Sequence, residues 1–203
     1  MFARTISRAA AVAITALLPL ACGGKEVTRI DPNSVTDLSG RWNDTDSRLV
    51  ANQLIKESLT SDWARRYAEA HGGDAPAVLI GDFRNRTMEH IAVGTFARDL
   101  ERAFINSGAV KVVASSEERD DVRAERVDQQ ENARADTRAK MAQELGAKYM
   151  LQGTIEAISD QEGREKVVFY QIDATLVDVE SNLKVWTGQQ KIKKYIEKPR
   201  VRL

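Results

Sequence analysis

Among 203 residues there is one cysteine, two histidines and four prolines, and that scarcity excludes several kinds of chemistry. A single Cys22 rules out an intramolecular disulfide. His71 and His90 stand at no metal-ligand spacing such as His-x3-His, and both read as surface or loop residues. The sequence holds no Gly-x-Ser-x-Gly elbow, no Walker loop and no dinucleotide fingerprint. No cofactor or metal site is expected, and the chain does not read as an enzyme. Asp82, at the end of an apolar run, is the one carboxylate placed as a catalytic group might be. Its simpler reading is a strand-end residue capping backbone amides. An excess of one charge is also missing, since Lys plus Arg and Asp plus Glu each total 30. That balance lacks the basic footprint of a nucleic-acid binder.

What is present begins with an address. Residues 1–21 read as a signal peptide: a cationic start with Arg4 and Arg8, an apolar run from Ala9 to Leu20, and the small Ala21. The run is shorter than the roughly 20 apolar residues a membrane span needs. Leu20-Ala21-Cys22-Gly23 resembles the lipobox of bacterial lipoproteins, which implies that Cys22 carries the lipid. Pro19 departs from that pattern, which usually has Leu three residues before the cysteine. Two or three acyl chains anchor a protein stably where one is marginal. Gly23, where an Asp would signal inner-membrane retention, favours the outer membrane. Residues 22–36 then read as a lipidated N-terminus and linker. Its 14 or so residues beyond the cysteine span at most about 48 Å.

Residues 37–203 carry the pattern of a single domain. Apolar positions at helical spacing predict helices over about 45–59, opened by the cap-like cluster Asn43-Asp44-Thr45-Asp46, and over about 63–70 and 94–106. Gly108 stops the third. Residues 77–83 and 110–114 read as buried strands. A long charged stretch over 117–145 reads as helical, with a first half so poor in apolar residues that it is expected to be partly irregular. After Gly146 the period changes to 2. Residues 149–158, 166–179 and 184–196 predict three strands, joined by turns at Gln161-Glu162-Gly163 and Ser181-Asn182 into an antiparallel meander. The expected fold class is α/β, a mixed β-sheet with a C-terminal meander, flanked by helices.

Several segments carry a family resemblance. Ser39-Gly40-Arg41-Trp42-Asn43-Asp44-Thr45-Asp46-Ser47 opens the domain. Val122-Arg123-Ala124-Glu125-Arg126 and Gln129-Gln130 lie in the charged stretch. Leu145-Gly146-Ala147-Lys148-Tyr149-Met150-Leu151-Gln152-Gly153-Thr154-Ile155 enters the meander, and Leu176-Val177-Asp178-Val179 and Val185-Trp186 end it. Together they resemble the LpoB family of lipoprotein activators of penicillin-binding proteins, over most of residues 37–198. The resemblance implies an outer-membrane lipoprotein facing the periplasm. It would bind the periplasmic portion of a class A penicillin-binding protein, at a non-catalytic module, and stimulate peptidoglycan synthesis. The best-known members carry a long disordered tether, whereas the linker here is short. Either the lipid stays in the inner membrane, or the periplasm is narrow, or the partner lies near the outer membrane. The Gly-Ala-x-Tyr-x-Leu-x-Gly-Thr-Ile segment also occurs in curli-secretion lipoproteins, so the alternative is a subunit or accessory of such a secretion pore. Asp173, Asp178 and Lys184, read as outward positions of the last hairpin, weigh against a lipid-facing stripe.

Partner recognition is expected from aromatic and arginine anchors. Of the large aromatics, Trp63 and Trp186 read as core, while Trp42 and Tyr195 are candidates for the surface. The loop Arg84-Asn85-Arg86-Thr87-Met88, just past a strand, is the strongest candidate, because loops carry recognition more often than cores do.

Overall fold

The computed structural model describes residues 26–132 and 146–198. It divides into two compact units, 1–32 and 33–203. In the first, residues 26–32 have neither helix nor strand and are exposed. The expected signal peptide, the expected lipid site Cys22 and the charged stretch beyond residue 132 lie outside the described residues. No described helix is long and apolar enough to cross a membrane.

The second unit runs α1 (Asp44–Thr60), α2 (Trp63–Ala70), β1 (Ala77–Asn85), α3 (Val93–Ser107), β2 (Lys111–Val113), α4 (Ser116–Asn132), β3 (Tyr149–Glu162), β4 (Glu165–Asp178) and β5 (Lys184–Glu197). The strands form one mixed sheet in the order β2-β1-β3-β4-β5. β1 pairs in parallel with β2 and β3, and the last three strands form the antiparallel meander.

α1 begins where the sequence supplies a capping box. Asn43 Oδ1 accepts from the Asp46 N–H at 3.0 Å, and Asp46 Oδ2 accepts from the Asn43 N–H at 3.0 Å. Such a cap is worth about 1 kcal/mol. Val50, Ala51, Leu54, Ile55 and Ser58 then bury one face. α3 buries Phe96, Leu100 and Phe104, spaced four residues apart, and ends at Gly108 with φ 65°. α1 and α3 pack together on one face of the sheet. There they meet Val168, Tyr170, Ile172, Ala174 and Leu176, alternate residues of β4 and all buried. Gly188 makes the close approach of α1 possible, since a Cβ there would collide with Trp186 and crowd Leu54.

Two expectations need correction. α4 is a continuous helix through Asn132, not a partly irregular stretch. Local side-chain pairs support it, including Arg123 Nη1 to Asp120 at 2.9 Å, Gln129 to Glu125 at 2.8 Å and Asn132 to Asp128 at 2.8 Å. Asp178 does not face outward. It lies on the helix-covered side, 9% exposed, and closes the β4–β5 turn. Its Oδ1 accepts from the Glu180 and Ser181 N–H groups at 3.0 and 2.9 Å, and Oδ2 pairs with Lys148 at 3.0 Å. Those hydrogen bonds, the Ser181 amide first, pull its carboxyl down to about 2.

Candidate partner-binding surface

Strand alternation sends every second residue to the face opposite α1 and α3. Among the described residues no helix packs on that face. Its chemistry changes along the strands. At one level Arg84, Thr154, Asp173 and Gln189 stand side by side across β1, β3, β4 and β5. Asp173 accepts from Gln171 and Gln189 at 2.8 and 2.7 Å, so this row is polar and internally bonded. Toward the β3–β4 turn the rows become apolar at their centre. Ile158, Phe169 and Lys193 form one, and Asp160, Val167 and Tyr195 the next. Ile158 is 69% exposed and Tyr195 60%. The result is a flat surface four strands and about 14 Å wide, with an apolar patch between charged margins.

The Arg84–Met88 segment borders this face. β1 reaches Asn85, so Arg84 and Asn85 belong to the strand and the loop proper begins at Arg86. Asn85 points inward to organise it. Its Nδ2 donates to the Glu89 carbonyl at 2.7 Å, and its Oδ1 accepts from the Thr87 N–H at 2.9 Å and hydroxyl at 2.8 Å. Thr87 Oγ1 in turn accepts from the Glu89 N–H at 3.0 Å. The turn is therefore rigid, and Arg84, Arg86 and Met88 project from it, Met88 being 103% exposed. A preorganised loop loses little entropy on binding.

Trp42 sits on the other side of the sheet from Tyr195. Half-buried, it meets Phe96 and Tyr170 edge-on at 6.1 and 5.6 Å. Its backbone N–H donates to Glu89 Oε2 at 3.2 Å, and the Tyr170 hydroxyl donates to the same oxygen at 2.8 Å. Burial, then the hydrogen bond to Glu89, raises the Tyr170 hydroxyl above the usual tyrosine range. Glu89 thus ties Trp42 to the base of the loop. The five candidates fall into two groups: Arg84, Arg86 and Tyr195 are exposed at or beside the bare face, while Asn85 and Trp42 hold the loop in place. Asp82 is not a strand-end cap. It lies inside β1, at the irregularity between Ile80 and Phe83, exposed and without a side-chain hydrogen bond among the described residues. Among the described residues no cluster of His, Cys, Asp or Glu could hold a metal ion.

One group of residues went unread in the sequence. Lys194 Nζ reaches Asp46 Oδ2 at 2.5 Å, Asp37 Oδ1 at 2.6 Å and the Arg41 carbonyl at 3.1 Å. Burial alone would lower the Lys194 ammonium, but the hydrogen bonds to Asp37 and Asp46 outweigh it and hold it raised. The bond from Lys194 keeps the Asp37 carboxyl below its ordinary range. The only signal available was a lysine at a core-facing position of β5, between Ile192 and Ile196.

No curated protein matches the chain by sequence. Among solved structures, the LpoB C-terminal domain from Salmonella enterica aligns at 17% identity and a TM-score of 0.41, covering 73% of this chain and 99% of that one. The LpoB C-terminal domain from Escherichia coli aligns at 15% identity and 0.44, with the same coverage. Lipoprotein GNA1162 from Neisseria meningitidis aligns at 20% identity and 0.37, covering 59% and 83%. The family model for the peptidoglycan-synthase activator LpoB matches residues 46–192, from the first turn of α1 to the middle of β5. That is well over half of the sequence, and the chain belongs to the LpoB family of peptidoglycan-synthase activators.

Proposed function

We propose that this protein is lipidated at Cys22, is held in the outer membrane facing the periplasm, and docks on the periplasmic portion of a class A penicillin-binding protein. Docking favours the active conformation of the synthase by binding it more tightly than the inactive one. The protein itself performs no catalysis. The observation that carries this reading is an LpoB-family domain with one sheet face uncovered among the described residues, bordered by a rigid loop displaying Arg84, Arg86 and Met88. Arginines beside an apolar patch are the residue types that dominate interface energetics. Asn85 and Trp42 act behind them, fixing the loop.

The test is a pull-down of the full chain against the periplasmic domains of the cell's own class A synthases, followed by a glycan-polymerisation assay. Binding with a faster polymerisation rate is expected. Failure of every synthase to bind would remove the proposal. Replacing both Arg84 and Arg86 by Glu is expected to weaken binding at least tenfold, or about 1.4 kcal/mol.

A further inference from the structure

A separate groove lies at the other end of α1. α1 runs from the Lys194 cluster to Ser58, whose carbonyl accepts from the Trp63 indole N–H at 2.8 Å. Its 17 residues put about 25 Å between that cluster and α2. Here α2, the start of β3 and the start of β5 enclose a groove of about 510 Å³. Trp63 and Tyr149 form its floor, 4% and 8% exposed, with their rings edge-on at 5.4 Å. Tyr67 forms one wall, also edge-on to Tyr149 at 5.9 Å, and His71, stacked on it at 3.9 Å, lines the same groove.

Three cations line the same groove: Arg66, Lys148 and Lys184. Lys148 is neutralised by Asp178 and Glu180, each at 3.0 Å. Arg66 and Lys184 are exposed, and no carboxylate pairs with either among the described residues. Neighbouring Arg65 differs, being held by Asp62 and Glu69. The groove therefore combines an aromatic slot with two charges that the fold does not use. Val179 and Leu183, 47% and 65% exposed, extend the apolar rim on the adjoining β4–β5 turn.

We infer that this groove binds an extended acidic segment of a partner protein, laying one large apolar side chain against the joined rings of Tyr67 and Tyr149 and placing flanking carboxylates on Arg66 and Lys184. A peptide fits better than a sugar. Trp63 and Tyr149, 4% and 8% exposed and packed edge-on against each other, leave no open ring face on which a sugar could lie. A carboxylate can form a two-point hydrogen bond with Arg66, and its charge is complementary to the unpaired pair. The inference goes beyond the docking proposed above, because its aromatic groove lies beside α2 and does not use the Arg84–Met88 loop; only Lys184, opposite Val177 at the end of the bare face, borders both surfaces.

The experiment is calorimetric titration of the full chain in detergent with capped seven-residue peptides carrying Phe, Tyr or Leu between two glutamates. Saturable binding is expected. It should fall at least tenfold in the Arg66→Glu, Lys184→Glu double variant, fall likewise when the glutamates become glutamines, and persist in Lys56→Glu, a charge reversal on the exposed side of α1. Tyr67→Ala, with an unchanged melting temperature, should also weaken it. No binding to any of the peptides, or equal binding by the double variant or the glutamine peptides, would overturn the inference. So would tighter, Arg66-dependent binding to vesicles containing phosphatidylglycerol, which would reassign the groove to lipid headgroups.

Discussion

The two faces of the sheet are built from the same strands and do opposite things. On the covered side of β4, Val168, Tyr170, Ile172, Ala174 and Leu176 are buried under α1 and α3. On the bare side, Val167, Phe169, Gln171, Asp173, Thr175 and Val177 stay partly open, opposite Tyr195, Lys193, Lys191, Gln189, Thr187 and Lys184 of β5. A single residue's shift in register would exchange these roles. Stability is concentrated on one side, and the other is free to be specialised for a partner.

The sharpest way to break this contrast is to cut a hole in the covered side. Leu176→Ala is expected to cost about 2–5 kcal/mol, a fall in melting temperature of about 2–4 °C per kcal/mol. Thr175→Ala, one residue away on the bare side, should leave the melting temperature nearly unchanged. A smaller loss tests the polar part of the covered side. Lys194→Met keeps the volume but strands Asp46 and Asp37, and should cost about 2–3 kcal/mol in urea unfolding, given that Asp37 is half-exposed.

Acid separates the two sides in another way. Asp178 titrates at about 2 in the folded chain against an ordinary 3.8. A carboxyl lowered by folding stabilises above its unfolded value and loses that contribution as pH falls toward the folded one. The stability difference between the natural chain and Asp178→Asn should therefore be full at pH 5 and shrink between about pH 4 and pH 2. An unchanged difference at pH 2.5 would show that the β4–β5 turn does not depend on this charge. The smallest effect belongs to Ser47, whose buried hydroxyl has no hydrogen-bond partner. Ser47→Ala should change stability by less than about 1 kcal/mol, in either direction.

The contrast also marks what the sequence could and could not disclose. Elements with strong apolar periodicity were legible nearly to the residue: α2 over 63–70, α3 within a residue of its ends, and the meander with its Ser181-Asn182 turn, whereas Gln161 and Glu162, read as a turn, are paired residues of β3. Ser159–Glu162 of β3 was not, because a polar run shows no alternation. It is a strand because it pairs with Glu165–Val168 across a tight turn in which Gly163 takes φ 55°. α4 was read as too polar, since short-range side-chain pairs substitute there for a buried face. At the candidate surface, the exposure of Arg84, Arg86 and Tyr195 followed from pattern. The supporting roles of Asn85 and Trp42 did not, because both depend on Glu89, and Trp42 and Glu89 are 47 residues apart in sequence. Lys194 was hidden for the same reason, its partners lying 148 and 157 positions away.

The Lys194 cluster has a mechanical side. Tension arriving along the backbone from residue 36 meets Asp37 first, and the ammonium passes it sideways into β5, which is hydrogen-bonded to β4 along most of its length. The load is then shared between the two long strands and the first turns of α1, which the same ammonium holds through Asp46 and which Thr45 and Arg48 join to Ser34 and Asn33.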